Sequence, residues 1–335
     1  MKRNRRLSIL HITPHLGGGV GRVINDWMRE LGPNSGHVIA CLDRSKTKWN
    51  IPVAAWTDMM KSKGAKMTLK TWILGADLIL VHWWDHPLLI DLFKMELPSC
   101  RMVFWCHKNY AIENKVKEYP DNFIYTSPVQ GKDRNYIWST GNMDKYYNLE
   151  LTEHDGFNVG YVGTVSYKKI HQHFIGMSNF IRKHSNTKLI FIGDNDTGWI
   201  GDGDFIFTDR INDITPYLKT FDVFGYPLRP DHYGTCEQSL GEAMAAGIVP
   251  VCMDNPAERL IIEHEVSGYL AKTEDEYVGY IERLYNSPDT RFWMGDKARK
   301  QARKLYNISK MINEWKEIFN KMMGYDKTEK GGLEC

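Results

Sequence analysis

The chain has 335 residues, 42% of them hydrophobic and 25% charged, with a formal net charge of +2. That length predicts two domains rather than one core. No apolar run of 18 residues occurs, which excludes a membrane-spanning helix, and the near-neutral charge without an aromatic-basic recognition motif argues against nucleic acid as a partner.

The charge is unevenly placed. Residues 1–150 hold 21 Lys and Arg against 14 Asp and Glu, a surplus of +7, and the remainder carries −5. Solvated surface lysines explain this as well as an anionic partner does. The six cysteines show no C-x-x-C pair or metal spacing, so they read as reduced, mostly buried thiols of a cytoplasmic protein. The basic residues at the start are followed by an apolar strand of only five residues, too short for a signal peptide.

In chain order, residues 8–12 form a strand, and Gly17-Gly18-Gly19 leads into a helix carrying Val23, Ile24, Trp27, Met28 and Leu31. Backbone can approach a ligand closely at such a glycine loop. It makes a poor dinucleotide fingerprint, because G-x-G-x-x-G with its flanking features is not in place. Further strands at 37–42, 78–82, 102–106 and 123–126 alternate with helix-length segments, the pattern of an open parallel sheet. Ligands collect at the carboxyl ends of such strands, and His82 and His107 end two of them. A lone histidine is more often a capped or core group; of the two, His107 in its polar turn is the stronger candidate. Lys61, Lys63, Lys66 and Lys70 interleave with apolar residues, which suits an anionic membrane surface or an ordinary exposed helix.

Periodicity fades between residues 136 and 155, where the linker is placed, giving domains 1–150 and 151–307. The second series opens with a strand at 158–162 ending at Gly163-Thr164, followed by Lys168-Lys169 and a helix. The lysines past that strand end suit phosphate. Strands follow at 188–192, 222–226 and 268–270. Asp194-Asn195-Asp196 and Asp202-Gly203-Asp204 match a D-x-D metal pattern, but both lie in Gly/Asp/Asn loops and turn chemistry explains them. Three helical patterns fill 274–322.

The stretch 233–247 then holds the main signal. Thr235 and Gln238 have capping-box spacing, Leu240, Ala243 and Met244 share a face, and Gly247 is a stop. Glu242 lies seven residues beyond Thr235, about 10 Å along the same side. A helix N-terminus for a diphosphate and a carboxylate for ribose hydroxyls fit a nucleotide.

Gly17-Gly18-Gly19, Gly163 with Lys169 six residues on, and the run from Glu237 to Gly247 with Gly268-Tyr269-Leu270 resemble the retaining glycosyltransferases of family four, glycosyl transferases group 1. The resemblance is dense from 158 to 270 and thin before it. It implies an α/β GT-B fold: two Rossmann-like domains with parallel sheets facing across a cleft, with a C-terminal helix at 308–323 crossing back onto the first. The implied activity is transfer of a sugar, with retention and without a metal or cofactor, from a nucleotide diphosphate sugar. The donor would be a UDP- or GDP-sugar and the acceptor a glycan or lipid-linked molecule, at the inner face of the membrane or free in the cytoplasm.

Lys169 matches the family's phosphate-binding lysine. Thr164 stands where an arginine is usual, with Lys168 or Arg229 as substitutes. Glu242 matches the second glutamate of E-x7-E. The first falls on Gly234, so Asp231 or Glu237 must replace it, with Glu237 slightly favoured. His107 matches the histidine near the sugar, and Gly18 and Gly19 the loop beside the diphosphate. Gly163, Thr235, Cys236 and Gln238 complete the expected donor site. A nucleotide-sugar epimerase, a phosphorylase and a catalytically silent sugar-nucleotide binder on the same fold remain open.

Overall fold

Short apolar runs separated by helix-length segments build two parallel sheets in this chain. The structure, a computed structural model, describes residues 6–44, 53, 55–108, 123–130, 135–183 and 186–324. It divides into one unit of Met1–Asn142 with Asn307–Cys335, and another of Met143–Tyr306.

The first sheet contains β1 (Ile9–Thr13), β2 (His37–Cys41), β3 (Ala55–Trp56), β4 (Leu78–Trp83), β5 (Met102–Cys106) and β6 (Phe123–Tyr125) in the order β3-β2-β1-β4-β5-β6. β1, β4 and β5 are buried along their whole length. That is why they read as continuous apolar runs rather than alternating ones. Helices α1 (Gly18–Leu31), α2 (Lys63–Gly75) and α3 (Pro87–Phe93) connect the strands. Leu69 and Ile73 of α2 and Leu89 and Leu92 of α3 pack with Ile79 and Phe104 on one face of the sheet. Ser62 caps α2 through the Ala65 amide at 3.1 Å. On α2, Met67 and Leu74 remain exposed beside the expected lysines.

The second unit repeats the plan. α4 (Asp144–Tyr147) precedes β7 (Phe157–Val162), α5 (Phe174–Ile181), β8 (Thr187–Ile192), β9 (Phe205–Thr208), α6 (Thr215–Leu218) and β10 (Val223–Tyr226). After these come α7 (Gln238–Ala245), β11 (Val249–Met253), α8 (Glu258–Ile261), β12 (Tyr269–Ala271), α9 (Glu274–Asn286) and α10 (Pro288–Leu305). The sheet order is β12-β11-β10-β7-β8-β9. Every pairing within both sheets is parallel. Each sheet thus has the doubly wound 3-2-1-4-5-6 order, whose direction reverses between β1 and β4, and again between β7 and β10.

α11 (Ile308–Met322) returns to the first unit. Its Met311, Ile312, Trp315 and Phe319 join Trp27 and Trp105 in the core opposite α2 and α3. The polar segment beyond residue 324 lies outside the described residues.

Two readings need correction. β3 and β9 were not expected, the first because two residues carry no periodicity and the second because it follows an Asp/Gly loop. The N-cap position of α7 falls after Thr235. It is Glu237, in a left-handed conformation (φ 34°, ψ 69°) with no side-chain cap bond. The Tyr306 hydroxyl donates to the Cys236 carbonyl at 2.7 Å and reaches the Glu237 carbonyl at 3.3 Å, holding the turn later in the chain than spacing suggested. Arg299 closes the other end, donating to the carbonyls of Ala245 and Ala246 at 3.3 and 2.9 Å. A cation suits that negative helix end.

The two D-x-D matches are turns. Asn195 Oδ1 accepts from Thr197, and Asp202 Oδ1 accepts from the amides of Asp204 and Phe205.

Candidate functional site

The reversal in the second sheet puts two loops side by side, one after β7 and one after β10. β7 ends beside Gly163, whose φ of 150° is a glycine conformation. A Cβ there would stand 3.0 Å from the Tyr161 hydroxyl and 3.5 Å from Lys169 Nζ. The turn beyond it brings Lys169 back under the strand end. From the other side, β10 ends at Tyr226 and its loop delivers His232, Gly234 and Glu237.

These residues form one buried cluster. Lys169 Nζ donates to the Tyr226 hydroxyl at 2.9 Å and lies 3.4 Å from Glu237 Oε2. Tyr226 donates to the same carboxylate oxygen. Ser239 Oγ is 3.4 Å from the Tyr226 hydroxyl. His232 Nδ1 accepts the Gly234 amide at 3.1 Å, and its Nε2 lies 3.3 Å from Glu258 Oε2. The 3.7 Å approach of His232 Nδ1 to Glu237 is too long for a hydrogen bond.

Burial would discharge a lone Lys169, yet the Glu237 carboxylate holds its ammonium well above the ordinary range. Burial likewise opposes charge on Glu237, and Lys169 and His232 outweigh it, lowering that carboxyl. Tyr226 is raised well above its ordinary value, by burial first and then by the Glu237 charge. Burial also raises Tyr161, to about 12. Burial pushes His232 down, but its bond to Glu258 and the charge of Glu237 leave it raised. Glu258, fully buried on α8, is raised by that burial. The cluster is therefore an ammonium and a carboxylate held charged, with a proton-sharing His232–Glu258 pair behind them.

The position eight residues before Glu242 is Gly234, and the structure shows what fills its side-chain space. A Cβ on Gly234 would lie 1.5 Å from Glu237 Oε1. The left-handed backbone of Glu237 folds its carboxylate back into the volume a side chain at 234 would occupy. Asp231, the other expected substitute, turns outward to an exposed ion pair with Arg229. Arg229 in turn donates to the Tyr167 carbonyl at 2.9 Å. Lys168 and Thr164 are exposed, and Lys168 is not joined to the buried cluster. Thr235, Cys236 and Glu242 are buried, and Gln238 begins α7, the helix that carries Glu242. In the first unit, Gly18 and Gly19 are exposed at the start of α1 and His107 follows β5.

Two groups among the described residues bring three metal-type donors within 4.8 Å of one another: His232, Glu237 and Glu258 in the cluster, and His171, His173 and Glu274 nearer the surface. In the first, the Lys169 ammonium already neutralises Glu237 and would repel a cation.

Residues 156–287 match the family glycosyl transferases group 1. The matched stretch, less than half of the chain, falls in the second unit. Lys169, Tyr226, Glu237 and Glu258 all lie within it. No curated protein matches the chain in sequence. HepE of Anabaena, solved in complex with UDP-glucose, is 15% identical with a TM-score of 0.72, over 94% of this chain and 100% of that one. A glycosyltransferase from Rickettsia africae is 12% identical with a TM-score of 0.71, over 97% and 100%. A sucrose-phosphate synthase from Thermosynechococcus elongatus is 14% identical with a TM-score of 0.68, over 96% and 100%. At these identities the likeness is one of fold: two all-parallel α/β sheets, the GT-B class.

Sequence reasoning missed Tyr226, His232, Glu258 and Tyr306. His232 stands in the same loop as Asp231 and Gly234, but its partner is 26 residues away. Tyr226 closes a strand and reads as core.

Proposed function

We propose that the protein transfers a sugar from a nucleotide diphosphate sugar, with retention at the anomeric carbon and with protein cations rather than a metal at the leaving group. The observation that carries this is the buried Lys169–Glu237 pair at the direction reversal of the second unit's sheet. Lys169 would stabilise the departing diphosphate beside Gly163, where no side chain intervenes. Glu237 would accept hydroxyls of the donor sugar, and Glu242 those of the ribose. Backbone of Thr235, Cys236 and Gln238 would line the diphosphate. The first unit would take a glycan or lipid-linked acceptor, with Gly18, Gly19 and His107 toward the transferred sugar. The lysines of α2 would meet an anionic membrane surface.

UDP-sugars are the first donors to try, since HepE was solved with UDP-glucose. A thermal-shift panel of UDP-, GDP-, ADP- and dTDP-sugars should show stabilisation by one class; a donor at a hundred times its Kd adds about 2.7 kcal/mol. Donor hydrolysis should disappear in Lys169→Ala and persist in Lys168→Ala, and EDTA should leave it intact. The product's anomeric configuration, read by NMR, reports retention. If no nucleotide sugar raises the melting temperature, the reading fails.

A further inference from the structure

Four histidines stand in a line across the middle of the first sheet. His37 lies on β2, His11 on β1, His82 on β4 and His107 just past β5, and these strands are neighbours in that order. His37 Nδ1 is 2.7 Å from His11 Nε2, His11 Nδ1 is 3.0 Å from His82 Nε2, and His82 Nδ1 is 3.2 Å from His107 Nε2. The register makes the line regular. His11 pairs with Ile39, two residues beyond His37; Leu80 pairs with His11, two residues before His82; Trp105 pairs with His82, two residues before His107. Each step moves one strand sideways and two residues toward the carboxyl edge, and a step of two keeps every ring on one face.

The ring geometry fits bonds end to end. His11 and His82 are 5.3 Å apart between centroids and 21° from parallel, and His82 and His107 are 5.4 Å apart and 14° from parallel. With ring nitrogens at hydrogen-bond distance, these are nearly coplanar rings joined at their edges rather than piled face to face. Trp27 lies against His11 and His37, Trp105 against His82 and His107, and Phe319 of α11 against His37. Burial keeps all four rings neutral, His37 and His107 pushed down to about 3 and His11 and His82 also far below the ordinary range.

Neutral rings in such a row leave few arrangements. Four imidazoles carry four N–H protons, three links each take one, and the fourth must sit at an end. It is either on His37 Nε2 or on His107 Nδ1, and the choice fixes every tautomer between. α11 lays Phe319 against His37, and Lys316 stands one turn before Phe319 on the same side of that helix, so its ammonium acts on His37. A cation there favours a bare nitrogen over an N–H, which sends the extra proton to the far end.

We propose that His37, His11 and His82 are positioning residues that place the proton of His107 on Nδ1, with Lys316 setting the direction of the row. His107 then offers a hydrogen-bond donor at the carboxyl edge of the sheet and no base. That consequence for a sugar or acceptor hydroxyl rests on the transferase reading; the arrangement of protons does not.

The test is therefore made without donor. The full chain, with 15N in its histidine rings, is examined at pH 7 by long-range proton–nitrogen correlation, which distinguishes Nδ1–H from Nε2–H. The expected result is Nδ1–H on all four rings. Lys316→Glu places an acceptor beside His37 and should reverse the row, moving the proton of His107 to Nε2. His11→Phe removes the link and should leave His107 with a mixture of tautomers; should that variant not fold, Lys316→Glu, at a half-exposed position, decides the matter. A wild-type His107 carrying Nε2–H, or one whose tautomer is unmoved by Lys316→Glu, overturns the proposal. If the tautomers behave as expected while no nucleotide sugar binds, only the transferase reading is lost.

Discussion

Both units bury polar side chains where a 3-2-1-4-5-6 sheet reverses direction, but they do so with opposite chemistry. The first uses neutral imidazoles, none of which needs a counter-ion. The second uses Lys169 and Glu237, each of which needs the other. Neutral groups tolerate loss of a charged neighbour but fail when acid charges them, whereas a buried ion pair withstands moderate acid but not deletion of one partner.

Acid should expose the difference most strongly. The four row histidines have folded-state values below the 6.5 of the unfolded chain, so their contribution is intact above about pH 6.5 and is lost as pH falls below it; for His37 and His107 the loss runs down to about 3. Each costs about 1.4 kcal/mol per pH unit across that window. Together His37 and His107 should begin to unfold the first unit below roughly pH 5, given an ordinary stability of about 5–15 kcal/mol. Glu237 has a lowered value, so its contribution persists until pH falls below the ordinary carboxylate range. Tryptophan fluorescence from Trp27, Trp105 and Trp315 should change before near-ultraviolet dichroism of the second unit's tyrosines. Simultaneous transitions would break the comparison.

Next in size is Lys169→Met, which strands the Glu237 charge and should cost about 3–5 kcal/mol in urea unfolding of the second unit. Adding Glu237→Gln should recover most of the stability without recovering donor hydrolysis. A smaller loss, about 1–3 kcal/mol, is expected for Gly234→Ala, whose new methyl meets the Glu237 carboxylate. Donor affinity should fall with it, and an unchanged affinity would separate Glu237 from the donor site. Arg229→Ala breaks an exposed ion pair with Asp231 and should leave both melting temperature and hydrolysis unchanged. A marked loss of hydrolysis there would restore Arg229 as the missing cation.

Legibility from sequence followed the same division between local and distant causes. Strands buried on both faces, such as β4 and β5, showed as apolar runs, whereas two-residue β3 left no pattern. Gly163 and Lys169 could be picked out because the end of β7 and the turn after it are local features. The start of α7 was misplaced because the Tyr306 hydroxyl, about seventy residues on, decides it. Spacing alone could not choose between Asp231 and Glu237, since the choice depends on the left-handed turn that puts Glu237 into the space beside Gly234. His82 and His107 stood out as strand ends, but joining them to His11 and His37 requires the register of four strands.

The two-residue stagger of the histidines also bears on inheritance. A row that shares its protons cannot be dismantled one member at a time without orphaning buried nitrogens, each of which carries a desolvation cost of about 1–3 kcal/mol. Among close relatives, positions 11, 37, 82 and 107 should therefore be kept or exchanged as a set, and a lineage that has lost one should have refilled its neighbours with apolar side chains.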